Sequence, residues 1–154
     1  MTESKYIWMD GEFVNWHDAK VHVLSHTLHY GNGAIEGTKA YKTVDGRCAI
    51  FKLNEHTKRL LNSSKMTLMN VPFTLEELNK AQIELLQKNE LFDGAYIRPL
   101  VYLGYGVMGL YHKEAPVKVS VSAWEWGAYL GEEGLRKGVR VKISSFTRTP
   151  NTSG

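Results

Sequence analysis

A short apolar run, Tyr6-Ile7-Trp8-Met9, is followed by Asp10-Gly11 and then by Glu12-Phe13-Val14. An Asp-Gly pair between two β-prone runs predicts a hairpin, because both turn positions must then adopt positive φ. A second hairpin is predicted from Thr38-Lys39-Ala40-Tyr41-Lys42 through Val44-Asp45-Gly46 to Cys48-Ala49-Ile50-Phe51. Two hairpins point to an antiparallel sheet.

The period then lengthens. Asn54 can cap a helix with Glu55 in its first turn, and Leu60, Leu61, Ser64 and Leu68 recur at helical spacing. In the next segment Thr74 and Glu77 form a capping box and Phe73 can staple onto Leu78. Leu75, Leu78, Ala81, Leu85 and Leu86 make one apolar stripe, with Lys88 in the last turn to suit the dipole. Extended runs return at 95–102 and 117–124, separated by the loop Gly104-Tyr105-Gly106-Val107-Met108-Gly109. Residues 127–134 read as a linker, 139–145 as the beginning of another strand, and 148–154 as polar loop. The expected fold is α+β: an antiparallel sheet with two main helices, followed by a linker and the first strand of something larger.

Composition changes this picture little. At 43% hydrophobic and 23% charged, the 154 residues suit a globular chain and exclude disorder, collagen and coiled coil. The formal charge is +3 and the Lys and Arg are scattered, which gives no case for nucleic acid. Cys48 is the only cysteine, so an intrachain disulfide is excluded and a reducing compartment is expected. Residues 1–5 lead into no signal-like apolar run, and no stretch approaches a membrane span, so cytoplasm is the expected location.

Gly31-Asn32-Gly33-Ala34-Ile35-Glu36-Gly37 resembles a dinucleotide fingerprint only superficially, since that site needs a helix after the glycines and here a strand follows. These glycines instead suit close backbone approach to a ligand or neighbouring chain. His22, His26 and His29 would converge as metal ligands only on a helix, and the alternation in Val21-His22-Val23-Leu24 reads as a strand edge. Hydrogen-bonded structural histidines are therefore expected. No Gly-x-Ser-x-Gly elbow is present, and Cys48 reads as a small core residue. Tyr96 and Arg98, two apart on a strand, emerge on one face and could receive a carboxylate, although an exposed strand face would look the same. Tyr30, Trp124, Trp126 and Tyr129 could wall an apolar pocket or simply fill a core.

Several of these stretches together resemble the branched-chain amino acid aminotransferases, class IV enzymes of pyridoxal phosphate fold type IV. The resemblance is carried by Tyr6-Ile7-Trp8, Gly11-Glu12, residues 18–23, Ser25-His26, residues 28–31, Glu36-Gly37, Glu55-His56 and Arg59-Leu60. It continues through Ala95-Tyr96-Ile97-Arg98-Pro99-Leu100, Trp126-Gly127-Ala128-Tyr129-Leu130-Gly131 and Pro150-Asn151-Thr152. It implies a small domain over 1–125, an interdomain loop over 126–135, and the start of a truncated large domain over 136–154. The activity implied is amino transfer from leucine, isoleucine or valine to 2-oxoglutarate through pyridoxal phosphate, in a homodimer or higher homo-oligomer.

The resemblance also assigns residues. Arg59 would anchor the cofactor phosphate, Tyr96 would hold the substrate α-carboxylate, and Arg98, with Tyr30 and Tyr129, would receive glutamate's second carboxylate. Ile35, Trp126 and Tyr129 would give apolar wall, with Tyr30, Met108 and Leu110 nearby or reaching a partner subunit's pocket. Gly37 would be a close-approach position beside substrate. Most relatives carry an aromatic where this chain has Ile35. The Schiff-base lysine of the family would lie beyond Gly154, so the chain reads as an N-terminal fragment expected to be inactive alone. The alternatives are a D-amino acid aminotransferase or aminodeoxychorismate lyase, and a non-catalytic interaction or RNA-binding module.

Overall fold

Both predicted hairpins form. In the computed structural model, which describes residues 2–126 and 131–147, β1 (Tyr6–Met9) pairs with β2 (Glu12–Asn15), and Asp10 and Gly11 both take positive φ at the turn. A small helix, α1 (His26–Tyr30), precedes β3 (Gly33–Ile35), and the second hairpin is β4 (Thr38–Lys42) with β5 (Cys48–Ile50). After the helices α2 (Leu53–Met66) and α3 (Leu75–Lys88) come the long strands β6 (Gly94–Leu103) and β7 (Val117–Trp124). The strands make one antiparallel sheet in the order β2-β1-β7-β6-β4-β5, with β3 also on β6.

Period-two alternation divides the sheet into two faces. Ile97, Val101, Val119 and Val121 point to one side and join Leu60 of α2 and Leu78 and Leu85 of α3 in a core where each is at most 1% exposed. Burying each such side chain contributes about 1.5–3 kcal/mol, and this term holds both helices on that face. Thr57 of α2 donates to Asn79 Oδ1 of α3 (2.6 Å) and accepts from Gln82 Nε2 (3.0 Å), which fixes how α2 is rotated over the sheet. Asn89, capping α3, accepts from the amides of Lys5 and Tyr6 (2.9 and 2.8 Å) and ties that helix end to β1.

The other face carries Tyr96, Arg98, Leu100 and Tyr102 of β6 beside Ser120, Ser122 and Trp124 of β7. Its Tyr102 end is roofed by the segment before α1 and by α1 itself, where Thr27 Oγ1 accepts from the amide of Leu103 (2.7 Å). A cavity of about 180 Å³ lies under that roof, between Ile7, Met9, Val21, Leu28, Leu100 and Tyr102. The Tyr96–Arg98 end lies beyond that cavity, with both residues half-buried.

Some local expectations are corrected. The Thr74 capping box is present with both reciprocal bonds. By contrast α2 begins one residue before Asn54, after Lys52 in the left-handed region, and the Asn54 side chain instead accepts from Asn79 Nδ2 (2.5 Å). Leu68 lies past the end of α2, exposed and at positive φ. Residues 21–24 form no strand; a bond between His29 Nε2 and the Val23 carbonyl (2.9 Å) holds them as a loop. Part of the predicted linker is helical, as α4 (Gly131–Lys137), where Glu133 and Lys137 pair one turn apart. Residues 139–145 pair with no strand among the described residues, and a strand without a neighbour leaves its backbone groups to water. The polar loop read at 148–154 lies outside the described residues. No helix among the described residues is long and apolar enough to cross a membrane.

Candidate active site

The centre of the open face is a break in the ladder beside β6. Ile35 lies opposite Leu100 and Thr38 opposite Ile97, so the register of β3 carries straight into β4 and sets Glu36 against Pro99 and Gly37 against Arg98. Pro99 has no N–H to offer, and a proline in a central strand is tolerated where the neighbouring backbone does not need one. Only the Glu36 amide bridges the gap, donating to the Pro99 carbonyl (3.1 Å). Alternation persists through the break, so Glu36 turns toward the helices and Gly37 toward the open face.

On the open face Arg98 donates to the phenol oxygen of Tyr96 from Nε (3.2 Å) and from a terminal amino group (2.9 Å). The Tyr96 ring also packs against Trp124 (centroids 5.2 Å apart) and edge-on against Trp126 (4.6 Å). Gly37 makes this arrangement possible. A Cβ there would stand 2.2 Å from the Tyr96 oxygen, so the phenol occupies the space a side chain would take. With the oxygen accepting from Arg98, the Tyr96 O–H and the remaining guanidinium N–H groups are left to donate outward. Such a pair, backed by indoles, can receive a carboxylate.

On the helix side Glu36 is buried, its side chain only 5% exposed, and both oxygens are engaged. Arg59 of α2 donates from Nε to Oε1 and from an amino group to Oε2 (2.7 Å), and His56 Nδ1 lies 2.9 Å from Oε2. The hydrogen bonds from Arg59 hold the Glu36 carboxyl below the usual glutamate range; burial opposes this, and the His56 hydrogen bond and both neighbouring charges add to it. The Arg59 side chain itself is 65% exposed.

The predicted site residues therefore fall into groups. Tyr96, Arg98, Gly37 and Trp126 come together, and Ile35 projects from the same face, opposite Leu100. Arg59 lies across the same two-residue segment, on its helix side. Tyr30 is elsewhere: it ends α1, and its ring packs on His26 (4.5 Å). The buried His26 Nε2 bonds to the Gly109 carbonyl (2.8 Å), which ties the glycine-rich loop carrying Met108 and Leu110 to α1. Met108 and Leu110 are exposed there. Tyr129 lies outside the described residues.

The expected structural histidines are found, since His22, His26 and His29 each bond to backbone. Cys48 is half-buried in β5, and burial, aided by the charge of Asp93, pushes its thiol pKa up. Trp124, read from the sequence as a candidate pocket wall, does stand beside the site, but its place opposite Tyr96 depends on the β6–β7 register. One residue of the site escapes a reading of the sequence. Glu36 carries no signal of its own, because a lone acidic residue in a strand run shows no partner in sequence.

Residues 33–153 match the family model described as amino-transferase class IV. A curated branched-chain-amino-acid aminotransferase of Pseudomonas aeruginosa is 49% identical over 142 residues, 92% of this chain and 46% of that protein. The crystal structure of the Escherichia coli branched-chain amino acid aminotransferase superposes with a TM-score of 0.92 at 40% identity, covering 97% of this chain and 49% of that one. The branched-chain aminotransferase of the archaeon Thermoproteus uzoniensis, solved with norvaline, gives a TM-score of 0.79 at 37% identity, covering 84% and 43%. The chain thus spans about half the length of the curated relatives it matches. With the family match extending over most of its length and the α+β fold shared with these solved structures, the chain belongs to the class IV aminotransferases.

Proposed function

We propose that the protein containing this chain transfers the amino group of leucine, isoleucine or valine to 2-oxoglutarate with pyridoxal phosphate as cofactor. The observation that carries this reading is the Tyr96–Arg98 pair seated over Gly37 on the sheet face away from α2 and α3. Both substrates bring an α-carboxylate, and glutamate brings a second one. Tyr96 binds the first and Arg98 the second, with Tyr129 completing the acceptor and Tyr30, which sits on α1 against His26, reaching it from a partner subunit. Ile35, Trp126 and Tyr129 form the apolar wall that excludes water and takes the aliphatic side chain, while Met108, Leu110 and Tyr30 close it or extend to a partner subunit in a homodimer or larger assembly. Gly37 lets the Tyr96 phenol come close against the backbone beside the substrate.

The donor set fits a phosphate. Arg59 is mostly exposed, and Glu36 engages its Nε and one amino group, so one amino group remains to donate to a phosphate oxygen. Bound there, pyridoxal phosphate supplies the electron sink that makes the substrate Cα–H acidic. The Schiff-base lysine belongs, on this reading, to the part of the relatives' length this chain does not span. Residues 1–125 are then the small domain, 126–135 the interdomain loop and 136–154 the opening of the large domain, in a cytoplasmic enzyme.

The test is to supply the full-length protein and cofactor with 2-oxoglutarate and single amino acids, and to follow glutamate formation. Leucine, isoleucine and valine should each give glutamate and D-alanine should not. Activity confined to D-amino acids, or pyruvate released from aminodeoxychorismate, would assign the chain to one of its class IV relatives instead.

A further inference from the structure

We infer that Glu36 is a positioning residue for the cofactor phosphate: its buried carboxylate holds the Arg59 guanidinium in the orientation in which the outer amino group meets the phosphate. This rests on the reading that Arg59 is the phosphate anchor.

The pairing is a poor device for stability alone. One partner, Glu36, is withdrawn from water, while the other is 65% exposed, so the desolvation cost falls on a carboxylate whose counter-charge stays hydrated. A well-packed apolar side chain at position 36 would serve the sheet–helix contact at least as well. What the carboxylate does supply is geometry. Two parallel N–H···O bonds fix the plane of the guanidinium, and an arginine on an exposed helix face otherwise loses rotamer freedom on meeting a ligand. His56 adds to the clamp. Its Nδ1 lies 2.9 Å from Glu36 Oε2 and 3.2 Å from the Arg59 amino group.

The carboxylate is itself held rigidly. Glu36 is anchored by the hydrogen bond its backbone N–H donates to the Pro99 carbonyl, and α2 is held in rotation by the Thr57–Asn79–Gln82 hydrogen bonds, so both ends of the clamp are fixed before any ligand arrives. The same two-residue segment places Gly37 under Tyr96 on the opposite side. One backbone segment thereby sets the phosphate arm and the carboxylate arm together.

Glu36 could also weaken phosphate binding by neutralising Arg59, and the two effects have opposite signs. The experiment measures affinities of the full-length apoprotein for pyridoxal phosphate and for pyridoxal, by fluorescence titration, in wild type, Glu36→Gln, Glu36→Asp and Arg59→Ala. The ratio of the two affinities isolates the phosphate contribution, and a general loss of fold would lower both together. The ratio should fall about tenfold or more in Arg59→Ala, and roughly three- to tenfold in both Glu36 variants, as expected when a charge-assisted hydrogen bond is removed or misaligned. Glu36→Asp keeps the charge but withdraws it, so it carries the test if Glu36→Gln fails to fold. A ratio unchanged or raised in the Glu36 variants while Arg59→Ala loses it would overturn the inference. A ratio unchanged in Arg59→Ala would instead overturn the assignment of Arg59.

Discussion

Arg98 places two donors, Nε at 3.2 Å and an amino group at 2.9 Å, on the single phenol oxygen of Tyr96, its neighbour two residues back on β6. A phenol so engaged presents its O–H away from the guanidinium, which is the arrangement the proposed carboxylate receptor needs. The guanidinium carbon lies 5.1 Å from the Tyr96 ring centroid, so the cation also rests against the ring that it orients.

Gly37→Ala should disturb that receptor through Tyr96. The added Cβ would stand 2.2 Å from the phenol oxygen but 3.0 Å from the ring carbon bearing it, so removing the oxygen relieves the worse clash. The cost of Gly37→Ala to amino acid affinity should be smaller in a Tyr96→Phe background than in wild type, with a coupling of about 0.5–3 kcal/mol in the double-mutant cycle. Equal costs in both backgrounds would show that Gly37 acts independently of Tyr96.

Acid stability should report Glu36. Its carboxyl is held below the ordinary glutamate range chiefly by the Arg59 hydrogen bonds, so the unfolded chain takes up that proton at higher pH than the folded one. The stabilisation is thus complete above the unfolded pKa and is lost as pH falls through the folded one. In urea titrations at stepped pH, Glu36→Gln should be less stable than wild type near neutrality, and the gap should close across that acid window. A gap independent of pH would mean that the folded carboxyl is not shifted.

Thr74→Ala removes the side chain that accepts from the Glu77 amide at 3.2 Å. Loss of such a cap should cost about 1 kcal/mol, read from the urea midpoint at unchanged slope, with amino acid affinity unaltered. An unchanged midpoint would show that the α3 terminus is held by packing alone.

How far the sequence carries can be traced residue by residue. The Asp10-Gly11 turn and the Thr74–Glu77 capping box are local devices, complete within four residues, and both form as read. Period-two spacing is enough to put Tyr96 and Arg98 on one face. It cannot show that the two side chains bond to each other, because that depends on the space left by Gly37, 59 residues before Tyr96 in sequence and brought alongside by the β4–β6 register. Glu36 is invisible for the same reason: its partners His56 and Arg59 lie on a helix whose rotation is set by tertiary bonds to α3. The strand expected at 139–145 has suitable residues but no ladder partner among those described, and β propensity alone does not supply one.

The central claim is that Arg98 distinguishes glutamate, with its second carboxylate, from the branched-chain substrates. Single-turnover kinetics of Arg98→Leu in the full-length, cofactor-loaded protein, run separately with glutamate and with leucine, test it without mixing the half-reactions. The glutamate half-reaction should lose about 2–5 kcal/mol of transition-state stabilisation, as for a charge pair truncated in a dry site, while the leucine half-reaction loses far less. An equal loss for both amino acids would place Arg98 on the shared α-carboxylate or in support of Tyr96, and would contradict this account of dual substrate recognition.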